Sequence, residues 1–264
     1  MTSPRSPMLL LCRGVTLVLL AAFAALLAAP LLAIVSLSEG PSFRSWSWDP
    51  VARSLWTSAV AAAVASVAAI AFAVDRLHGS QRIGGPTSRL SCLAGALVDL
   101  PIALPPVVLG LSLLAIFRGP LAGVDRLLAV VGSPAAIILA QLSIGVPLCC
   151  RMTSEALDRV PRRLIDAERT LGGPPHRVAV VALVESRAAV AAAALIGWAA
   201  MFGAFGPVLL FAGVTEGRTE ILPTKVYLDV AGGDLAAAAA AALLMSLTAA
   251  AVAFAARRLS AGGP

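Results

Sequence analysis

Residues 55–74 read LWTSAVAAAVASVAAIAFAV, twenty positions without one Asp, Glu, Lys or Arg. A helix needs about 20 apolar residues to cross a hydrocarbon core. There is no water in that core, so every backbone N–H and C=O must pair within the segment, and a helix does this locally. The run is too long for a barrel strand. Five more runs of this kind follow or precede it, at residues 15–37, 90–117, 134–150, 188–214 and 235–256. The expected fold class is therefore an all-α polytopic membrane protein with about six transmembrane helices. Composition agrees: 59% of the 264 residues are apolar and 13% charged, where soluble domains are nearer half and a quarter.

The chain's charge sits between the runs. Arg5, Arg13, Arg76, Arg82, Arg89, Arg151, Arg159, Arg162, Arg163, Arg169, Arg177, Arg187, Arg257 and Arg258 share one set of flanks. The other set holds only Arg44, Arg53, Arg118, Arg126, Arg218 and Lys225. Basic residues accumulate on the cytoplasmic side, so both termini are expected there. Trp46 and Trp48 then fall at the outer interface, which indoles favour. A net charge of +6 does not point to nucleic acid, because the arginines are spread along helix ends and form no single patch. The first run exceeds the 7–15-residue core of a signal peptide and no small-x-small cleavage site follows it, so it reads as a retained helix.

Within the third run, Pro101, Pro105 and Pro106 precede Gly110. Each proline removes a backbone donor and crowds the preceding turn, so the span has to kink or unwind. Irregular backbone at membrane depth is tolerated only against protein or a wet cavity. The break either serves packing alone or lines a pathway, and its helix N-terminus offers N–H donors to an anion. Asp99, beside it, is the acid set well inside a predicted span; it either caps the break or works in a pathway. Residues 119–133 suit a short helix at the outer interface.

Residues 151–177 form the longest inner loop. Thr153 or Ser154 is expected to cap a short helix starting at Glu155, and Pro161 suits the first turn of a second. In that second helix Leu164, Ala167, Thr170 and Leu171 share a face, and Gly172-Gly173-Pro174-Pro175 stops it. Such a projecting helix suits docking into a partner's groove, although a solvated connector has the same periodicity. Elsewhere the signals are bland. No phosphate-binding Gly-x-x-x-x-Gly-Lys-Ser/Thr loop occurs. His78 and His176 lack ligand neighbours, Cys12, Cys92, Cys149 and Cys150 read as small apolar fillers, and no catalytic set is gathered. Neither an enzyme nor a cofactor is expected.

Asp166-Ala167-Glu168-Arg169-Thr170-Leu171-Gly172 resembles the Glu-Ala-Ala loop of binding-protein-dependent ABC importer permeases, with Glu155-Ala156-Leu157 and Leu164 where these proteins carry them. Leu100-Pro101-Ile102-Ala103-Leu104-Pro105-Pro106-Val107-Val108-Leu109-Gly110 is similar to the third-helix segment of molybdate- and sulfate-type permeases. Phe205-Gly206, with Phe211-Ala212-Gly213, resembles their fifth helix, and Arg218-Thr219-Glu220-Ile221-Leu222-Pro223-Thr224 their outer loop. The resemblance runs from about residue 55 to 256 and departs at Asp166, Glu168, Val184, Glu185 and Ala204. It implies the transmembrane domain of a type I ABC importer at residues 55–256, after a first span and outer loop (1–54) and before a cytoplasmic tail (257–264). It also implies a coupling helix whose ATPase contacts are Asp166, Ala167, Glu168, Leu171 and Gly172. The pathway would be lined by Asp99, Pro101, Pro105, Pro106, Phe205 and Gly206. Implied partners are two cytoplasmic ATP-binding subunits, an extracytoplasmic solute-binding protein, a second permease copy and membrane lipid. The implied cargo is an oxyanion: molybdate, tungstate or sulfate. Ferric iron, thiamine or a polyamine stays open as cargo of the same machine, and a secondary transporter as another class.

Overall fold

The structure, a computed structural model, describes residues 47–79 and 89–261 together with Val18 and Ser36. The first expected span, Trp46, Cys12, Arg82 and most of the expected first domain lie outside the described residues. Eleven helices follow in order among those described: α1 (Asp49–Gly79), α2 (Arg89–Ala103), α3 (Pro106–Arg118), α4 (Ala122–Leu128), α5 (Pro134–Asp158), α6 (Arg162–Thr170), α7 (Pro175–Glu185), α8 (Arg187–Phe202), α9 (Gly206–Phe211), α10 (Leu222–Ala231) and α11 (Leu235–Ala261). Helices α1, α5 and α11 are each long and apolar enough to cross a membrane. Two bent pairs, α2 with α3 and α7 with α8, each have the apolar length for one span more. Against the six spans expected, the described residues thus offer three by length and composition, or five if each bent pair is one span.

By its contacts the chain divides into two compact units. Met1–Trp46 and Val226–Leu244 make one, Ser47–Lys225 and Met245–Pro264 the other. In the first, Ala238, Ala239, Ala240 and Ala241 of α11 are buried.

The second unit is built on α1. Its alanines at 61, 65, 69 and 73 recur every fourth residue and are all buried, while Val60, Val64 and Val67 on the opposite side are exposed. A helix needs small residues where it meets protein and large apolar ones where it meets lipid. Ala61, Ala65 and Ala69 pack with Cys149 and Cys150 of α5 and Met201 of α8, and Ala73 with Leu157. Glycines bring α5 and α8 together from the other direction. A Cβ on Gly145 would strike Met201, and one on Gly197 would strike Cys149.

Two expectations are corrected. The fourth span does not end at Cys150, and no new helix is capped by Thr153 or Ser154. Instead α5 runs unbroken from Pro134 to Asp158. Thr153 and Ser154 are both buried in mid-helix; burying that face, with Leu157 in the cluster below it, outweighs the local preference of Ser and Thr for caps. The fifth span, read as one run from 188 to 214, is divided at both ends. It starts with α7, bends by 74° at Ser186, and stops at Phe202 before the short α9. The Ala182 carbonyl accepts there from both the Ser186 backbone N–H at 3.0 Å and the Ser186 hydroxyl at 2.7 Å.

Candidate functional site

Three features of the second unit bear on function: a double helix break, a pinned loop before α10 and a knob after α5.

The first break separates α2 from α3 at Leu104-Pro105, with a bend of 115°. Pro101 is accommodated inside α2, while Pro105 and Pro106 open α3, where a missing N–H costs least. The Pro105 carbonyl accepts from Val108 at 2.9 Å. The second break lies at Gly203-Ala204-Phe205, between α8 and α9. The two breaks meet. Gly110 of α3 lies so near α9 that an added Cβ would sit 2.7 Å from Pro207 Cα and 2.9 Å from its carbonyl oxygen. A Cβ on Gly206 would come within 3.3 Å of Val107 and 3.5 Å of the Pro106 carbonyl carbon. Phe117 and Phe211 close the far end of this contact, ring centres 5.1 Å apart. The fold thus brings Pro106 to Gly206, with Pro105 and Phe205 their neighbours in sequence. Asp99 and Pro101 lie on the α2 side of the bend, Asp99 exposed and Pro101 half-buried.

Behind the breaks lies Gln141, a residue the sequence reading passed over. It is fully buried, and neither its amide nitrogen nor its oxygen has a hydrogen-bond partner. It stands one turn from Ile137, which packs with Ala204 and Val208, and one turn from Gly145 beside Met201. That register sets it level with the second break.

The loop before α10 is tied to the start of α1. Arg53 donates from Nη1 to the Glu220 carbonyl and from Nη2 to the Gly217 carbonyl, both at 2.8 Å. The Leu222 N–H donates to the Ser54 hydroxyl at 2.7 Å, and the Ile221 N–H to Thr224 Oγ1 at 2.9 Å. Glu220 and Lys225 pair at 4.0 Å, both largely buried. Arg53 had counted only as an outer-flank charge; its role needs the contact across 164 residues of sequence. The short helix expected in residues 119–133 is α4, whose Leu127 and Leu128 are exposed.

The knob is α6 with the turn after it. Its inner side is held by Ile165, buried with Leu157, Val160, Val178, Ala182 and Ala73. The sequence reading did not single out Ile165. Leu164, Ala167 and Leu171 face outward, Leu171 at 83% exposure, on the face predicted for docking. Asp166 pairs with Arg169 at 3.6 Å. The helix closes in a Schellman motif, the Gly173 N–H to the Glu168 carbonyl and the Gly172 N–H to the Arg169 carbonyl. Gly172 takes φ +74° there, the left-handed conformation that glycine alone adopts without cost. Among the described residues no group of three or more His, Cys, Asp or Glu side chains could hold a metal ion.

A bundle of broken spans with a helical knob on a connecting loop is the type I importer transmembrane fold. Two solved structures of the MetNI methionine ABC transporter, in inward-facing conformations, share that fold. One has TM-score 0.61 at 21% identity, covering 81% of this chain and 96% of the other. The second has TM-score 0.63 at 19% identity, covering 83% and 99%. Residues 84–261 match the family described as "Binding-protein-dependent transport system inner membrane component", and the chain belongs to it. It is thus a multi-pass membrane protein, the permease component of a binding-protein-dependent ABC importer. Among similar proteins, the molybdenum transport system permease ModB of Mycobacterium tuberculosis is 31% identical over 76% of this chain and 77% of its own. The ModB of Azotobacter vinelandii is 28% identical over 66% and 81%. The probable permease NifC of Clostridium pasteurianum is 28% identical over 52% of this chain, which spans half of NifC's length.

Proposed function

We propose that this chain forms the translocation pathway of an ATP-driven molybdate importer. The observation that carries the cargo is the similarity to molybdenum permeases across three quarters of both chains. In this reading two copies of the chain pair in the bacterial or archaeal cytoplasmic membrane with their termini in the cytoplasm. Residues 55–256 are the transporter domain. An extracytoplasmic binding protein delivers the oxyanion above, and two ATP-binding subunits below carry out the hydrolysis.

Asp166, Ala167, Glu168, Leu171 and Gly172 are the contact with the ATP-binding subunit. Closure of the ATPase pair pushes on the knob, and Ile165 passes the push to α1, α5 and α7, into which it is packed. Asp99, Pro101, Pro105, Pro106, Phe205 and Gly206 line the path. The opening of α3 at Pro106 presents the positive end of a 13-residue helix dipole, which suits an anion better than a cation. Single cysteines placed across residues 101–110 are expected to react with small aqueous thiol reagents at Pro105 and Pro106, where the helix is broken. Uniform protection along the segment would remove it from the path.

The decisive experiment is uptake by vesicles containing the permease, its ATP-binding subunit and its binding protein. Molybdate should enter only with ATP, and tungstate or sulfate should compete. Faster uptake of ferric iron or thiamine would overturn the cargo, and uptake without the ATP-binding subunit would overturn the ATP-driven mechanism.

A further inference from the structure

We propose that a cleft between α8 and the arginine-bearing end of α11 is a binding site for one anionic phospholipid. The cleft, about 460 Å³ in volume, is lined by Ile196 of α8 and by Ala253, Ala256, Arg257 and Ser260 of α11. Its lining is graded. Ile196, Ala253 and Ala256 belong to the apolar runs of their helices; Arg257 and Ser260 come just where the apolar run of α11 ends. At 1.5 Å of rise per residue, Ala253 and Ser260 are roughly 10 Å apart along the helix. One end of the cleft therefore suits acyl carbon and the other a phosphate.

Charge fixes the sign of the occupant. Among the described residues no acidic side chain lines the cleft, and Arg257 is exposed with no hydrogen bond or ion pair to any of them. Its neighbour Arg258 is engaged elsewhere, its guanidinium 4.9 Å from the centre of the Phe254 ring. Basic clefts between helices at the membrane surface recruit anionic head groups. A free inorganic anion satisfies Arg257 and Ser260 but leaves the apolar end unfilled. A zwitterionic lipid fills that end but brings a cation to Arg257. An anionic phospholipid meets both requirements, whatever the cargo of the transporter.

The full chain, reconstituted in phosphatidylcholine nanodiscs containing phosphatidylglycerol, allows a direct count of retained lipid by native mass spectrometry. One phosphatidylglycerol per chain is expected to survive. Arg257→Gln should lower the retained fraction about fivefold, as expected for one basic contact at a membrane surface. Ala253→Trp, which fills the apolar end, should do the same, and Arg257→Lys should restore retention. Arg258→Gln should leave it unchanged. Both Ala253 and Arg257 are exposed, so neither change disturbs the core. Equal retention in all variants, equal loss in Arg257→Gln and Arg258→Gln, or displacement by excess inorganic phosphate would each overturn the lipid site.

Discussion

Gly172→Leu is expected to insert and fold normally yet lose its ATP-binding subunit and its transport together. Gly172 has φ +74°, so any side chain pays roughly 1 kcal/mol of local strain. Inside the chain there is room, since a Cβ at Gly172 meets nothing within 4 Å. The fold therefore survives at small cost, while the surface that meets the partner gains a bulky projection beside Leu171. Gly172→Asn should be milder, because Asn tolerates the left-handed region, and Gly172→Val worse than Leu because of its branched Cβ. Retention of the ATP-binding subunit on the detergent-purified permease, with uptake in parallel, reads the effect. A Gly172→Leu protein that holds its ATPase and transports at the normal rate would place the coupling contact elsewhere.

The second large effect should fall at the joined breaks and reverse that pattern, damaging the fold first. A Cβ on Gly110 would lie 2.7 Å from Pro207 Cα and 2.9 Å from its carbonyl oxygen. These are backbone atoms in a helix start and cannot swing aside. Overpacking of this kind costs about 1–3 kcal/mol for one methyl and more for a larger group. Gly110→Ala should lower the unfolding temperature in detergent by several degrees, and Gly110→Val should prevent recovery of folded protein. Gly206→Ala should cost less, its nearest neighbours, a Val107 methyl and the Val107 backbone nitrogen, both lying at 3.3 Å. Gly123→Ala, with nothing within 4 Å, is the neutral comparison. If Gly110→Ala melts with Gly123→Ala, the breaks do not touch as described.

Much of this architecture is legible in the sequence because the bilayer imposes a length. Runs such as 55–74 announce spans without reference to any partner. Pro105 and Pro106 announce a break, since no neighbour can restore a missing donor or remove the ring. The knob's outer face and its left-handed glycine are legible for a similar reason: helix periodicity and stop signals are local.

What could not be read depends on packing between distant segments. Thr153 and Ser154 carry a helix-starting signal that is overridden because their side of α5 is buried. The bend at Ser186 leaves no mark on hydropathy, which registers apolar character and not direction. Ile165 looks like any residue of a short polar helix until Val178 and Ala182 close over it. Gln141 is one polar residue in an apolar run, and its isolation shows only once the surrounding helices are in place. Arg53 and Ser54 needed the outer loop itself to show what they hold.

The unbroken course of α5 has a mechanical consequence. A 25-residue helix is about 37 Å long, and here it is one rod from inside the bilayer to within three residues of the knob. The Arg76–Asp158 ion pair at 3.6 Å braces its lower end against α1, the other long strut. Tilting such a rod by 5° about its far end moves the near end by roughly 3 Å. A small displacement at the Asp158 end would thus be passed on as a rotation of the strut, whose one interior proline is Pro147. Among the described residues the spans bend at Ser186 and Leu104-Pro105 and break again at Gly203–Phe205, so where these helices break sets the directions in which one segment can turn against the next.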